Sequence, residues 1–386
     1  MDLWFFNPGC EIEVAAGKAV YSLPKYPAML ERDLSTLPMC LAAKGDCVLA
    51  TKTQDLDFVE FFKDYFPCEF IDVEKKIPNS CAREFEFFRP WGISPRALRV
   101  GEKFSFSDAY HASPVGRWMP QHQQLFSRET SAAFFEKLST LSGYDEQVLP
   151  LKSQLPIIAK TWEEALDFFA GHIEGAVFKA VFGSSGRGVR ILGGNVMTPN
   201  LENWIRSIIK SQCAIACEHL FEKVADFSMH YDIVDGQAKF VGVSTFNTSD
   251  TGAYIGSRVG RIDDLPLIKT LTAKELSGLH VEALDGSPYT KYYCGPLGID
   301  CMVYREDELL KVNPCIEINC RHSMGRLAMQ IADLADVDAE FLVFNKTAPP
   351  VPIDKPPTFS NGKLVGGFLP LTPRDTVAFS AGIFCR

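Results

Sequence analysis

The chain has 386 residues, which at roughly 150 residues per domain is enough for two to three domains, each able to bury its own core. Hydrophobic residues at 46% and charged residues at 23% are the ordinary globular mixture, which excludes fibrous and wholly disordered chains. A net charge of −9 disfavours nucleic acid and anionic membrane as default partners, so any site for a polyanion must be built locally.

From residue 1 to about 120, short apolar strands alternate with helical stretches. Leu3 to Phe6, a turn at Asn7-Pro8-Gly9 and the run Cys47 to Ala50 predict an α/β layer. Between Asp55 and Phe66 the pairs Phe58/Val59, Phe61/Phe62 and Tyr65/Phe66 recur about once per turn, forming one apolar helix face for the core. From Glu84 to Tyr110, Phe, Pro, Gly and Arg alternate without a period, which reads as a long connection. Further on, Trp162, Ala165, Leu166 and Phe169 at helical spacing, a turn between Gly171 and Gly175, and the β-favouring run Ala176 to Phe182 give helix, turn, strand. The stretch Gly183 to Gly188 leads into a second run, Val189 to Leu192, so its glycines cap a hairpin. Leu201, Trp204, Ile205, Ile208 and Ile209 make a helical stripe, and the strands Asp226 to Val234 and Gln237 to Thr245 meet at Asp235-Gly236, a strong hairpin signal. Residues from about 126 to 345 therefore read as antiparallel α+β. Pro349, Pro350, Pro352, Pro356 and Pro357 mark a stiff extended segment, after which Gly362 to Phe384 can pair at a sheet edge. The expected domains are 1–125, 126–345 and 346–386.

Nothing in the sequence approaches the ~18 consecutive apolar residues of a membrane helix. The start, Met1-Asp2-Leu3-Trp4-Phe5-Phe6-Asn7-Pro8, lacks the basic stretch and apolar run of a secretory signal, and a soluble, cytoplasmic chain is expected. The twelve cysteines carry no repeated C-x-x-C and read as reduced, mostly buried thiols. Cys315 and Cys320 fall on opposite faces of a strand-like run, where one zinc ion could not easily take both, and Cys213 and Cys217 are accounted for as small core hydrophobes.

The sharpest local feature is Lys179 followed by Gly183-Ser184-Ser185-Gly186-Arg187-Gly188. Glycines let backbone N–H groups approach an anion, the serines add donors, and Lys179, Arg187 and Arg190 gather positive charge: this is the chemistry of a phosphate lid. The loop is neither a P-loop nor G-x-G-x-x-G, both of which feed a helix where this one feeds a strand, and H-R-D and D-F-G are absent. A surface hairpin that binds nothing is the plain alternative. In Pro314-Cys315-Ile316-Glu317-Ile318-Asn319-Cys320-Arg321, the two-residue period puts Glu317, Asn319 and Arg321 on one face and Ile316, Ile318 and Cys320 on the other. The upstream strand Gly298 to Tyr304 and the polar turn Arg305 to Glu308 can return Asp300 beside Glu317, with Asn313-Pro314 interrupting the ladder. Two carboxylates and an amide oxygen suit Mg²⁺; a surface salt bridge between Glu317 and Arg321 is the alternative. His230 and His322 read as satisfied or capping histidines.

Taken in order, Lys179, the Gly183 to Gly188 hairpin, the strand ending Ala216-Cys217-Glu218, Asp300 and the Glu317-x-Asn319-x-Arg321 ending resemble the ATP-grasp superfamily over about 220 residues. The resemblance implies an α/β N-terminal domain plus an α+β ATP-grasp core, two lobes with nucleotide between them. It implies that Lys179 and Arg128 grip nucleotide phosphates, that the backbone of Ser184, Ser185 and Gly186 covers them, and that Cys217, Glu218, His219 and Leu220 form the adenine hinge. Asp226 stands near the ribose position, Asp300, Glu317 and Asn319 match the magnesium ligands, and Arg321 matches an arginine that stabilises the transferring group. Arg258 and Arg261 are candidates for a substrate carboxylate. The implied activity is ATP-dependent ligation of a small-molecule or peptide carboxylate to an amine, with ATP and two Mg²⁺ ions (or Mn²⁺ in their place), in a chain compatible with a homo-oligomer. A small-molecule kinase on the same core and a non-catalytic nucleotide-binding module are the alternatives.

Overall fold

The computed structural model describes residues 1–51, 56–72, 83–183, 188–194, 196–248, 254–260, 266–335 and 339–386. Near the N-terminus, β1 (Leu3–Phe5), β2 (Cys47–Ala50), β3 (Glu69–Asp72) and β4 (Phe88–Pro90) form a parallel sheet in the order β3-β2-β1-β4. β1 and β2 are buried along their whole length, as parallel strands covered on both faces must be. The helices α1 (Cys10–Ala16), α2 (Lys25–Asp33), α3 (Leu56–Phe62) and α4 (Pro95–Gly101) belong to this layer. Phe58 and Phe62 of α3 are buried, as its apolar face requires, while Asp55 lies outside the described residues. The segment Glu84 to Tyr110 corrects the expectation of a long connection. It supplies β4 and α4, the latter capped by Ser94, whose hydroxyl accepts from Ala97 N at 3.0 Å. A three-residue strand and a seven-residue helix are too short to display a hydrophobic period.

After α5 (Arg128–Ser139), the strands β5 (Ile157–Ala159), β6 (Gly175–Ala180), β7 (Val189–Gly193) and β8 (Ile215–His219) form a small antiparallel sheet in the order β5-β8-β6-β7. β6 and β7 are the two arms of the glycine hairpin. The helices α6 (Trp162–Ala170) and α7 (Pro199–Gln212) bury Phe169, Leu201 and Ile205 with Phe178 and Ile215 of this sheet.

The largest element is a nine-stranded sheet with antiparallel neighbours throughout. It comprises β9 (Glu222–Val234), β10 (Gln237–Thr248), β11 (Tyr254–Arg258), β12 (Gly295–Glu306), β13 (Leu309–Asn319), β14 (Glu340–Asn345), β15 (Thr358–Ser360), β16 (Lys363–Pro370) and β17 (Phe379–Cys385). Their order is β13-β12-β9-β10-β11-β14-β17-β16-β15. β9 and β10 are joined by Asp235 and Gly236, both at positive φ (52° and 74°), the backbone of a tight two-residue hairpin turn. One face of β9, β12 and β13 (Phe227, Met229, Tyr231, Ile233, Leu297, Ile299, Cys301, Ile318 and Cys320) is buried with Phe134, Phe135 and Leu138 of α5 and with Leu276 and Leu284 of α8 (Ala273–Leu284). The strands after the proline-rich segment do more than border the sheet, since β17 lies inside it between β14 and β16.

The N-terminal layer is fastened to this sheet. Phe6 and Trp91 share a core with Leu327 and Ala328 of α9 (Met324–Gln330), Phe341, Leu364 and Ile383. At the end of α2, Asp33 accepts hydrogen bonds from Ala378 N at 2.7 Å and Phe379 N at 3.0 Å. Burial disfavours its charge, but these bonds and the one from Arg32 outweigh that and hold its carboxyl below the usual range. In β16, Gly367 sits at φ +85°, and a Cβ there would collide with the Pro356 carbonyl. Gly367→Ala is therefore expected to cost about 1–3 kcal/mol of stability in urea denaturation. Gly362→Ala, at φ +77° but facing open space, should cost less; equal losses would mean that the approach of Pro356 contributes nothing.

Candidate nucleotide and metal site

The polar row on β12 and β13 follows from register. Asp300 stands directly opposite Glu317 and Gly298 opposite Asn319, while the next pair along is Met302 with Asn313. Pro314, Cys315 and Ile316 therefore bulge against the single residue Cys301, whose thiol donates to the Pro314 carbonyl at 3.2 Å. An unbroken ladder would have set Cys315 opposite Asp300; the bulge at Asn313-Pro314 sets Glu317 there instead. Ser228 of β9 is the other neighbour of Asp300 in the sheet. The face opposite the apolar core thus presents Ser228, Asp300, Glu317 and Asn319 together.

Hydrogen bonds link these groups to three other parts of the chain. Asp300 accepts from Ser228 Oγ and, at 2.9 Å, from Asn319 Nδ2. Arg321 Nη2 donates to Asn319 Oδ1 at 2.9 Å and Nη1 to the His322 carbonyl at 3.0 Å, while its Nε donates to Glu11 of α1. Glu317 accepts from Arg128 Nη2 at 2.7 Å, and the same guanidinium donates to the Ala180 carbonyl at 2.6 Å. Arg128 begins α5 and its backbone N–H donates to Val181 O at 3.0 Å, so this one residue ties the helix to the end of β6 and to β13. Lys179, opposite Ala216 in the β6–β8 pairing, reaches diagonally to Glu218 with Nζ–Oε2 of 2.6 Å.

Burial pushes the Asp300 carboxyl up to about 6, with Glu317 adding to the rise against the hydrogen bonds from Ser228 and Asn319. At Arg321 burial works against the charge, yet Glu11 outweighs it and raises the guanidinium above its ordinary value. His230 is held neutral, down to about 3, by burial and by the charge of Arg326, and its Nε2 meets Ser244 Oγ at 2.8 Å. His322 is likewise lowered to about 3 by burial, with Arg326 and Arg89 adding to it, and its ring lies 5.3 Å from Trp4 and 5.7 Å from Trp91. It does not cap α9; Ser323 does, accepting from Arg326 N at 3.1 Å.

The donor set suits a hard divalent cation. Asp300 and Glu317 offer carboxylate oxygens side by side. Asn319 turns its amide nitrogen to Asp300 and its oxygen to Arg321, so its carbonyl would have to rotate to join them. Among the described residues, no three His, Cys, Asp or Glu side chains gather as a metal site; the row itself offers two carboxylates.

The remaining expected residues divide as follows. Glu218 and His219 line a narrow cleft with Arg128, Gln154, Phe221, Asn313 and Ile316, between the small sheet and the large one. Cys217 is buried in the small sheet's core, its thiol pushed up to about 12 by burial and then by Glu218 and Glu164. Leu220 closes on Gly175, where a Cβ would come within 2.9 Å of its Cδ2. Asp226 shares the face of Ser228, two residues along, and its carboxylate takes Lys223 Nζ at 2.7 Å and Thr248 Oγ1 at 3.2 Å. Arg258 is not brought to the row: Ser257 pairs with Phe246, itself opposite Asp226, which leaves Arg258 on the other face of the sheet. Ser184, Ser185, Gly186, Arg187 and Arg261 lie outside the described residues.

Sequence reasoning missed Ser228, Glu11 and Gly92. Ser228 was legible by alternation with Asp226. Glu11 carried no local signal, since its partner is 310 residues away. Gly92 forms a bridge with Arg321, and a Cβ on it would lie 2.5 Å from Cys10 Sγ, so only glycine lets the N-terminal layer approach Arg321 this closely.

Among solved structures, the chain is similar to phosphoribosylamine–glycine ligase from Thermotoga maritima, with a TM-score of 0.53 and 12% identity over 100% of this chain and 92% of that one. It is also similar to biotin carboxylase from Campylobacter jejuni, solved as a β-γ-ATP complex, with a TM-score of 0.51 and 13% identity over 99% of this chain and 86% of that one. No protein-family model and no curated protein sequence matches the chain. The chain has the ATP-grasp fold. Among the described residues, no helix is long and apolar enough to cross a membrane.

Removing one member of a buried ion pair leaves the other charge uncompensated. Glu11→Gln is therefore expected to destabilise the protein by about 3–5 kcal/mol in urea denaturation. Glu202→Gln, which breaks the exposed pair with Arg206, should cost below about 1 kcal/mol. The raised Asp300 favours the fold while protonated, so its contribution is full below about pH 4 and is lost as pH rises through about 6. Asp300→Asn should then raise the Tm at pH 8 and change it little at pH 4, a difference on the order of 2–3 kcal/mol readable from thermal melts across that range.

Proposed function

We propose that the chain is an ATP-dependent ligase that joins a carboxylate to an amine through an acyl phosphate, releasing ADP and phosphate. The observation that carries this reading is the facing pair Asp300 and Glu317, flanked by Arg128 and Arg321 from separate elements, beside the cleft that Glu218 and His219 line. The two similar structures support it by name, one being a ligase and the other a carboxylase solved with an ATP ligand.

On this reading nucleotide lies between the lobes, its adenine against the main chain of Cys217 to Leu220 and its phosphates under the backbone of Ser184, Ser185 and Gly186. Lys179 and Arg128, which in the free protein rest on Glu218 and Glu317, exchange those carboxylates for the more highly charged phosphates. Asp300 and Glu317, with Asn319 beside them, would hold Mg²⁺, which when bound neutralises phosphate charge. The substrate carboxylate attacks the γ-phosphorus and ADP departs; the amine then attacks the acyl carbon and phosphate leaves. Arg321, kept protonated by Glu11, offsets the charge of the transferring group. Positioning and charge neutralisation carry such a reaction more than any base does, which agrees with two buried, neutral histidines near the row.

Lys179→Met and Glu317→Gln should each lower phosphate release from ATP, over a panel of carboxylate and amine pairs, by at least about a hundredfold, assayed well below each variant's own melting temperature because each substitution leaves a buried partner charge unpaired. Unaltered turnover in both variants would refute the assignment. Phosphate retained on the product, seen by mass, would make the protein a kinase instead.

A further inference from the structure

A second concave site lies in the N-terminal layer, at the carboxyl ends of β1 and β2. One cavity of about 220 Å³ is bounded by Phe5 and Phe6 at the end of β1, Leu49 at the end of β2, and Glu31, Arg32 and Arg96. A second, of about 160 Å³, shares Phe5, Glu31, Leu49 and Arg96 with it and adds Lys103. The two form one groove, many times the roughly 15 Å³ that a single ordered water needs. Open parallel sheets bind ligands at this edge, outside the carboxyl ends of their strands.

The charges in the groove are incompletely partnered. Arg96 donates to Glu31 and faces Glu13 at 3.5 Å. Glu31 Oε2, Arg96 Nη1 and Arg32 Nη2 have no hydrogen-bond partner and are closed to solvent, so a ligand engages them by turning their side chains toward the groove. Ser35 and Thr51 both donate to the Arg32 carbonyl, at 3.0 and 2.6 Å, so the backbone that presents Arg32 is fixed. A groove so built lacks one donor at Glu31 and acceptors at the two arginines. A simple anion would satisfy the arginines but meet the Glu31 carboxylate, and a simple cation would do the reverse.

We propose that this groove binds a small zwitterion with an apolar side chain, of the α-amino-acid class, its carboxylate on Arg32 and Arg96, its ammonium on Glu31 and its side chain against Phe5, Phe6 and Leu49. Glu31 supports this, being raised to about 7 by burial against the pull of Arg96, so an added cation is favourable there. The inference deepens the ligase reading by naming a substrate class, and it rests on that reading for the ligand's role but not for its binding.

The test is calorimetry on the full chain without nucleotide, using L-leucine and L-phenylalanine. The comparators are 4-methylpentanoate and 3-phenylpropanoate, which lack the ammonium, and 3-methylbutylamine and 2-phenylethylamine, which lack the carboxylate. At least one amino acid should bind, with its two partial analogues about tenfold weaker or more. Glu31→Gln should weaken the amino acid by about tenfold and leave the corresponding acid unchanged. Arg32→Gln, at a side chain 35% exposed, should weaken amino acid and acid alike with the fold intact. No binding of either amino acid at millimolar concentration to the folded chain overturns the inference, as does equal binding of the acids or amines. Mg-ATP binding is measured separately on the same protein. A chain that takes nucleotide but no amino acid loses only the groove, and one that takes the amino acid but no nucleotide loses only the ligase reading.

Discussion

The two-residue alternation of β9, β12 and β13 is the constraint on which the rest of the structure depends. Every side chain on these strands must enter either the apolar layer under α5 and α8 or the opposite polar face. Phe227, Met229, Ile299 and Ile318 take the first, which obliges Ser228, Asp300, Glu317 and Asn319 to take the second. A shift of one residue would bury the carboxylates, so the burial of the apolar set fixes the position of the polar one. The bulge against Cys301 refines this: a two-residue offset keeps each strand's faces unchanged while replacing a thiol by a carboxylate opposite Asp300.

Placing charge on that face requires counter-charge, and the protein draws it from a distance. Arg128 comes from the start of α5 and Glu11 from α1 of the N-terminal layer. Neither pair is an independent source of stability, because desolvating two ions offsets much of their attraction. What the pairs do is specify: Glu11 and the bridge at Gly92 tie the N-terminal layer to Arg321, so the layer and the row cannot separate without stranding a buried guanidinium. The pairs Lys179–Glu218 and Arg128–Glu317 differ in kind. Each joins two groups that the proposed reaction needs apart, which keeps both cations in place while no polyanion is present.

Much of this arrangement was legible in the sequence because it rests on local periodicity. The hairpin at Asp235-Gly236, the helical stripe from Leu201 to Ile209 and the row Glu317, Asn319, Arg321 depend on spacings of two to four residues. What was not legible depends on either shortness or distance. β4 and α4 are too short to show a period, and Glu11, Gly92 and Glu31 acquire meaning only from partners brought to them by the fold. Arg258 illustrates the converse: a basic residue in a polar stretch looks available for an anion, but β-strand parity put it on the face away from Asp300, and no spacing within its own segment records that face.

Helix α1 stands between the N-terminal groove and Arg321. Its two carboxylates are spaced two residues apart, about 200° around the helix axis, and they are used in opposite directions. Glu11 holds Arg321 beside the row of Asp300, Glu317 and Asn319, and Glu13, fully buried, accepts from Asn7 and Ser94 and faces Arg96 of the groove. A ligand that drew Arg96 from Glu13 would alter the charge balance on the same short helix that positions Arg321. Filling the N-terminal groove and setting Arg321 beside the carboxylate row are, by this geometry, parts of one electrostatic system.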